Sequence, residues 1–277
     1  MHPLDPFGFG RPGYRAHARR FADPELRLDL RGLRVAITGA NSGLGLAATA
    51  ALAERGASVL MLCRDPARGE AAAATVRGET RVLACDVTRR ASLDALRGLR
   101  VDVLVHNAGV LVDRRESVEG LERTLATHVV GPWRLSQIVH AETTIWVSSG
   151  GMYTQRLEVD RLWDPPEPFD GVTAYARCKR AQVVLARRLG HHAMHPGWAD
   201  SPGVERSLPR FHRLTQGVLR TPAEGADTIV WLAATRPSAP GFWFDRAPAP
   251  EHRLPWTRCA PNEEERLLEV LNASTGF

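Results

Sequence analysis

One stretch of the sequence decides the fold: residues 34–45, which read RVAITGANSGLG. The β-branched run at 34–38 predicts a strand, and the alanine-rich residues 44–54 predict a helix directly after it. Glycine allows a tight turn between them, and the N–H groups at a helix N-terminus suit a pyrophosphate. An ordinary tight turn is the alternative. We expect a dinucleotide-binding turn here, with contacts from Gly39, Asn41, Ser42, Gly43, Leu44 and Gly45.

The rest of the sequence alternates short apolar strand patterns with helical patterns. Strands are predicted at 58–63, 81–85, 102–106, 143–148, 191–195 and 241–244, and helices at 66–76, 92–96, 120–139, 174–189 and 222–234. The last helix starts with a capping box, Thr221 to Glu224. Such alternation is typical of βαβ units. We therefore predict an α/β fold, a Rossmann-type doubly wound parallel sheet in three αβα layers.

This fold would form a single NAD(P)-binding domain over residues 31–277, including C-terminal substrate-lid segments. Residues 1–30 have too little apolar content to fold alone. They are expected to form an N-terminal arm with a short helix near residues 14–21.

The composition excludes several classes of protein. The 277 residues are 44% hydrophobic and 24% charged, as in globular proteins with a sizeable core. No apolar run approaches the roughly 18–20 residues of a membrane span. The net charge of +5 arises from arginine pairs interleaved with carboxylates, so no nucleic-acid-binding face is expected. The four cysteines are widely spaced, which argues against a disulfide framework or a metal site and favours a reduced, cytoplasmic compartment.

The residue after the second predicted strand bears on the choice of dinucleotide. A carboxylate there pairs with the ribose 2′-hydroxyl of NAD, whereas an arginine accommodates the 2′-phosphate of NADP. Arg64 occupies this position and Asp65 follows it. NADP(H) is therefore preferred, and Asp65 leaves NAD(H) open. The alternative role for Arg64 is that of a solvated loop cation.

A YxxxK motif opens a later predicted helix, with Tyr175 and Lys179 at its ends. A spacing of four places the phenol and the ammonium on one helical face. Reduction of a carbonyl yields an alkoxide that must receive a proton, and a neighbouring ammonium lowers the pKa of a phenol. Of the 36 basic residues, 35 are arginine and Lys179 is the only lysine. We therefore predict Tyr175 as the general acid/base and Lys179 as its partner, with a plain surface helix as the alternative.

These motifs, together with Cys85-Asp86-Val87 after the third strand and His106-Asn107-Ala108-Gly109 after the fourth, resemble the short-chain dehydrogenase/reductase family. The whole arrangement is similar to the retinol-dehydrogenase-like branch of that family. The resemblance implies that Asp86, beside Val87, contacts the adenine ring. It also implies that the cofactor's ribose is lined by Asn107, Ala108 and Gly109 and held by Tyr175 and Lys179.

Further site residues follow from the same resemblance. Ser149 would hydrogen-bond the substrate carbonyl oxygen, with Ser148 as the fallback. Ser201 would take the place of the family's usual threonine near the carboxamide. The segment that closes over the nicotinamide would be Pro196, Gly197 and Trp198.

The chain departs from the family pattern at the tetrad asparagine. No asparagine occurs between Asn107 and Asn262, and His128 stands at the matching position. In the family, that residue shapes a helix kink whose backbone carbonyl holds a relay water. His128 is therefore assigned to the catalytic set, as either a direct proton relay or a structural substitute.

A second unusual feature is the pair His191 and His192, which makes a polar entry to the sixth strand. These residues are expected at the solvated end of that strand rather than as metal ligands, because no suitably spaced partner is present.

The sequence thus predicts an NADP(H)-dependent oxidoreductase that interconverts a carbonyl and an alcohol on a small molecule. The hydrophobic character of that substrate is implied by the branch resemblance alone. The alternative is a dinucleotide-binding sensor or scaffold with little or no turnover. The substrate's identity, the direction of reaction and any homo-oligomer are left open.

Overall fold

A computed structural model describes residues 6–21, 28–200 and 217–275. Ser201 is the one predicted site residue that lies outside these ranges. None of the helices within them combines the length and apolar content that a bilayer crossing requires.

The centre of the molecule is one mostly parallel sheet. Its strands are β1 Arg34–Thr38, β2 Ser58–Cys63, β3 Thr80–Ala84, β4 Arg100–His106, β7 His140–Val147, β8 His192–Met194, β9 Phe242–Phe244 and β10 Ala247–Pro248. A separate hairpin is formed by β5 Ser117–Val118 and β6 Leu121–Glu122. The order across the sheet is β10-β9-β8-β7-β4-β1-β2-β3, and only β10 pairs antiparallel.

Helices cover both faces of this sheet. They are α1 Pro6–Phe9, α2 Arg11–Ala18, α3 Gly43–Ala53, α4 Pro66–Ala73, α5 Arg90–Asp94, α6 Arg123–Leu125, α7 Gly131–Ile138, α8 Val159–Trp163, α9 Gly171–Arg188, α10 Pro222–Thr235 and α11 Pro261–Thr275. Helices α3 and α10 pack on one face, over Val103 and Val105, and α5 and α7 pack on the other, over Leu104. The predicted three-layer Rossmann-type fold is confirmed.

The predicted helix over residues 120–139 is wrong in its first three residues and in its regularity. The β5–β6 hairpin extends to Glu122, whose carboxylate caps α6 by accepting from the amides of Thr124 and Leu125. Residues Ala126–Val130 then form a π-helical turn before α7. Pro132 at the start of α7 has no N–H to donate back into the preceding turn, so regular α-helical bonding is interrupted there.

The histidines before the sixth strand also differ from their prediction. His192 is buried, and its Nδ1 accepts a hydrogen bond of 3.1 Å from the Trp243 indole. His191 accepts likewise from the indole of Trp146. The Trp243 indole thus bonds a His192 ring that lies inside the fold, where the sequence predicted a solvated strand end, whereas His191 is only half-buried.

The carboxyl ends of β1 and β4 are joined by side-chain hydrogen bonds. The Thr38 hydroxyl accepts from the amides of Asn107 and Ala108, at 2.9 and 3.0 Å. The Asn107 amide group donates to the Thr38 carbonyl at 2.9 Å. Helix α3 approaches this junction through Gly45, where an added Cβ would lie 2.5 Å from both the Asn107 Nδ2 and the Gly39 carbonyl oxygen. A glycine is therefore required at position 45, because a larger side chain would clash with Asn107 and Gly39.

The N-terminal arm is attached to the domain by Arg220. This side chain is 1% exposed, and its guanidinium donates to the carbonyls of Gly8 and Phe9 at 3.1 and 2.9 Å. It also pairs with the carboxylate of Asp245, which is bonded in addition to His17. The arm is thus held by a buried ion pair and by main-chain acceptors.

Replacing Gly45 with alanine is expected to lower the free energy of unfolding by about 1–3 kcal/mol, the usual cost of overpacking a tight contact. Urea denaturation measures this change. Gly217→Ala is the matched control, because no atom in the described part of the chain lies within 4 Å of the Cβ that it adds. Equal stability of the two variants would contradict the close approach of α3.

Replacing Arg220 with alanine is expected to destabilise the protein by about 3–5 kcal/mol, because the Asp245 carboxylate stays buried without its guanidinium. Thermal and urea unfolding would measure the loss. Arg266→Ala breaks a solvent-exposed pair with Asp160 and should cost far less. A similar small effect for both variants would show that the arm does not depend on this pair.

Candidate active site

The predicted site residues follow the carboxyl ends of neighbouring parallel strands. The strand order reverses between β1 and β4, which creates the crevice where doubly wound sheets bind ligands. The glycine turn follows β1, and Asn107 follows β4. Ser149 and Pro196 follow β7 and β8. The topology therefore brings these four regions to one edge of the sheet.

The glycine turn leads directly into α3. Ser42 occupies the N-cap of this helix but makes no side-chain capping bond. The first amide groups of α3 therefore lack the usual capping acceptor, and the positive end of the helix dipole lies at the same point. Gly43 adopts a left-handed conformation, with φ of +54°. This arrangement fits a pyrophosphate.

Two predicted residues lie after β3. The Asp86 carboxylate accepts from the Thr88 amide and hydroxyl, at 2.9 and 2.7 Å. Val87 is buried, and its carbonyl oxygen lies against Gly131 of α7, where an added Cβ would be only 2.0 Å away. The turn after β3 is thus held both by its own hydrogen bonds and by contact with α7.

The turn after β2 separates the roles of its two charged residues. Arg64 is exposed and forms no ion pair with any residue in the described part of the chain. The Asp65 carboxylate caps α4 by accepting from the Arg68 amide at 3.1 Å. The cation is thus free to meet a ligand, whereas the carboxylate is engaged in its own helix.

The two serines after β7 have different partners. Ser148 is buried, and its hydroxyl donates to the Lys179 carbonyl at 2.9 Å. The Ser149 hydroxyl accepts a longer bond from the Gly151 amide, and it lies close enough to the Tyr175 phenol to lower the pKa of that phenol. Ser148 therefore fastens β7 to α9, while Ser149 faces the phenol.

Helix α9 carries both residues of the YxxxK motif. Asp170 caps the helix by accepting from the Val172 amide at 3.0 Å. Lys179 is 3% exposed, and its Nζ lies 5.3 Å from the centre of the Tyr175 ring. The Nζ donates to the Val147 carbonyl at 2.8 Å and to the Gln182 side-chain oxygen at 3.0 Å. The amine therefore points into the protein, so a surface helix is excluded.

The protonation of this pair differs from the prediction. Burial raises the pKa of Tyr175 to about 12, although the neighbouring Ser149 hydroxyl lowers it. Burial also lowers the pKa of Lys179 to about 7. Desolvation of the phenol therefore outweighs the lowering of its pKa that the motif predicted.

His128 lies in the π-helical turn, with its ring edge-on to Tyr175 at 5.1 Å between centroids. Its Nε2 lies 2.8 Å from the Val110 carbonyl and 3.1 Å from the Val110 amide, so it donates to the first or accepts from the second according to its tautomer. Burial and the nearby Lys179 hold the pKa of His128 well below its usual range. The ring is therefore neutral and bonded to the loop after β4, which includes Gly109.

The segment after β8 packs against the N-terminal arm. Pro196 is buried, and Gly197 has a positive φ of 73°. The Trp198 amide donates to the Phe9 carbonyl at 2.8 Å, and the two aromatic rings lie 6.2 Å apart. The arm is thus in direct contact with the segment predicted to close over the nicotinamide.

Two polar residues at this site were missed in the sequence. Thr38 joins β1 to β4. Its place directly before the first glycine of the turn was a usable signal in the sequence. Gln182 bonds Lys179 and lies one turn after it on α9. A buried amide three residues beyond a buried lysine has no distinguishing local pattern, so the sequence offered no signal for it.

Comparison with known proteins agrees with this geometry. A family model described as short chain dehydrogenase matches residues 34–151. Dehydrogenase/reductase SDR family member 12 of Bos taurus is 36% identical over 95% of this chain and 92% of its own length. Retinol dehydrogenase 14 of Homo sapiens is 29% identical over 78% of this chain and 77% of its own.

A solved structure from Mycobacterium paratuberculosis shares the fold. It covers 89% of this chain and 94% of its own, with a TM-score of 0.71 and 24% identity. The chain belongs to the short-chain dehydrogenase/reductase family, in its retinol-dehydrogenase-like branch, a family of oxidoreductases that use a nicotinamide dinucleotide.

Proposed function

We propose that this protein is an NADP(H)-dependent oxidoreductase that interconverts a carbonyl and an alcohol on a hydrophobic small molecule. The observation that carries the proposal is the convergence of three groups beside the sheet crevice. The Ser149 hydroxyl lies beside the Tyr175 phenol and lowers its pKa, and the buried Lys179 amine lies on the face of the phenol ring. A hydrogen-bond donor, a proton donor and an adjacent cation are the components that carbonyl reduction needs.

When bound, the dinucleotide supplies a hydride to the carbonyl carbon or removes one from the alcohol. In the reducing direction, Ser149 donates a hydrogen bond to the substrate oxygen and fixes its position. Tyr175 gives its phenolic proton to that oxygen as negative charge develops, so the products are an alcohol and a phenolate. The phenolate then regains a proton from solvent. Lys179 stabilises the phenolate by its charge.

The turn after β2 supports NADP(H). Arg64 is exposed and unpaired within the described residues, and guanidinium–phosphate hydrogen bonds are charge-assisted. Asp65, which could favour NAD(H), is occupied as the cap of α4. The pyrophosphate would bind the amides at the start of α3, and the adenine would contact the turn that contains Asp86 and Val87.

The contacts of His128 favour the structural role over a direct proton relay. Its ring is neutral, its Nε2 is bonded to the main chain of Val110, and its buried Nδ1 has no hydrogen-bond partner in the part of the chain described. A relay would need a titratable ring with bonds on both nitrogens. We assign His128 to hold the loop after β4 against Tyr175.

The hydrophobic substrate class rests on relatives such as the retinol dehydrogenase. Partly buried Trp198 belongs to the apolar cluster that also contains Phe244, beside the segment after β8. Apolar lining of this kind suits a lipid-like carbonyl compound.

Replacing Tyr175 with phenylalanine is expected to reduce turnover by at least about 100-fold, because the proton donor is lost while the ring is kept. The measurement is NADPH oxidation with aldehydes, retinoids, steroids and quinones, alongside NADPH binding by fluorescence. Tyr14→Phe on the N-terminal arm is the control and should keep its turnover. Tight NADPH binding without turnover of any compound by the natural protein would instead favour a sensor or scaffold.

Replacing Arg64 with alanine is expected to raise the dissociation constant for NADPH roughly 10–100-fold and to leave that for NADH nearly unchanged. The reason is that only NADPH carries the 2′-phosphate. Fluorescence titration with both dinucleotides measures the ratio. Arg19→Ala, an exposed arginine on the arm, controls for net charge. Equal weakening of both dinucleotides would refute the NADP(H) assignment.

A further inference from the structure

The ammonium of Lys179 is held by neutral oxygen atoms. Within the described residues it forms no ion pair with a carboxylate, and its acceptors are the Val147 carbonyl and the Gln182 side-chain oxygen. One acceptor belongs to the main chain of β7 and is fixed by the sheet. The other belongs to a side chain, so its position depends on what holds that side chain.

Gln182 is itself held by the opposite end of its amide. The residue is 1% exposed, and its Nε2 donates to the His128 carbonyl at 2.8 Å. An ammonium can only donate and a carbonyl can only accept, so the chemistry of both partners determines the orientation of the amide. The result is a continuous chain of hydrogen bonds from β7 through Lys179 and Gln182 to the π-helical turn.

The His128 carbonyl is available for this bond because of the local sequence. In a regular helix it would accept from the amide of the residue four positions later, which is Pro132 and has no N–H. The π-helical turn is shown by the bond from the Gly131 amide to the Ala126 carbonyl, five positions earlier. A carbonyl left without its α-helical donor therefore accepts from Gln182.

We propose that Gln182 is a positioning residue for the reaction, which aims the Lys179 ammonium at the phenol by tying it to the His128 carbonyl. This inference rests on the proposed function. The family resemblance implies a relay water on this carbonyl, whereas here a protein amide is bonded to it. An amide has fixed donor and acceptor ends, so Gln182 orients the ammonium without passing a proton itself.

The titratable groups around the ammonium are few. Tyr175 and Cys178 come from its own helix, and His128 comes from the π-helical turn. Burial raises the pKa of Tyr175 and places that of Cys178 above its usual range, so both are neutral at pH 7, as is His128. The group of β7 that accepts a hydrogen bond from the Nζ is the main-chain oxygen of Val147. The Gln182 oxygen is thus the side-chain acceptor that a substitution can change.

The decisive experiment uses the fact that Lys179 is the only lysine in the chain. Lysine labelled with ¹³C at Cε gives one signal, whose titration reports the protonation of this amine in the cofactor-free protein. The midpoint of the natural chain is expected at about pH 7. Gln182→Met removes the acceptor and should lower the midpoint by about one pH unit. Gln182→Glu supplies a carboxylate and should raise it.

Opposite shifts in the two variants separate a bond to the ammonium from a general loss of packing. Gln137→Met, an exposed glutamine on α7, is the matched control and should leave the midpoint unchanged. If Gln182→Met does not fold, the near-isosteric Gln182→Glu variant still tests the direction. Midpoints that stay within about 0.2 pH units of the natural chain in the folded variants would overturn the proposal.

Kinetics connect the titration to the reaction. With NADPH and a carbonyl substrate, kcat should fall as pH rises through the Lys179 midpoint, because the protonated pair is the acid. The fall should come at lower pH in Gln182→Met and at higher pH in Gln182→Glu, with KM changed less than about threefold. Shifted NMR midpoints with an unshifted kcat profile would overturn the positioning role. Absence of turnover in the natural chain would instead refute the proposed function and leave the NMR test of the hydrogen bonds intact.

Discussion

The site depends on burying one ammonium group against a phenol, with no carboxylate of the described residues to neutralise it. A charge removed from water is stable only where polar groups replace its hydration. Lys179 receives two such oxygens, one from β7 and one from Gln182. The main chain of the same residue accepts from Ser148. The side chain and the main chain of Lys179 are therefore both hydrogen-bonded to β7 or to the residue that follows it. These bonds fix the register of α9 against β7.

The same constraint extends to the opposite end of the dinucleotide crevice. The π-helical turn that supplies the His128 carbonyl to Gln182 runs directly into α7. At that junction Gly131 lies against the carbonyl of Val87, in the turn after β3. The π-helical turn and α7 together are thus in contact with the turn after β3 and, through an amide, with the lysine. A shift of α7 would disturb both regions together, which explains why a glycine and a proline stand side by side where it starts.

Local patterns predicted the elements whose formation depends on neighbours in sequence. The bounds of β1 and β2 were predicted to the residue, and the capping box at Thr221 forms as expected, with bonds of 3.2 and 2.9 Å. The C-terminal helix α11 was missed, although Leu267 and Leu271 are spaced to face the core and are fully buried. An acidic first turn and this spacing were usable signals.

Other features arise only from contacts between distant segments. Gln182 and His128 are 54 positions apart, and Arg220 binds carbonyls more than 200 positions away. A short stretch of sequence contains no information about contacts between residues so far apart. His192 was predicted to be exposed because it is polar. Its hydrogen-bond donor, the Trp243 indole, is 51 positions away and is not visible in the local sequence. The protonation of Tyr175 was mispredicted for a similar reason, since the spacing of the motif does not reveal how dry its surroundings are.

The choice of lysine in an arginine-dominated chain follows from counting donors. The buried Arg180 is satisfied by three main-chain carbonyls, those of Gln155, Glu251 and Met152. The Lys179 site offers two acceptors, too few for the five N–H groups of a guanidinium. An ammonium has three, so two are used and one remains for an oxygen of a bound ligand. A guanidinium would also keep its proton throughout the working pH range, whereas the pKa of the buried amine is about 7. The position therefore requires a compact cation with few donors.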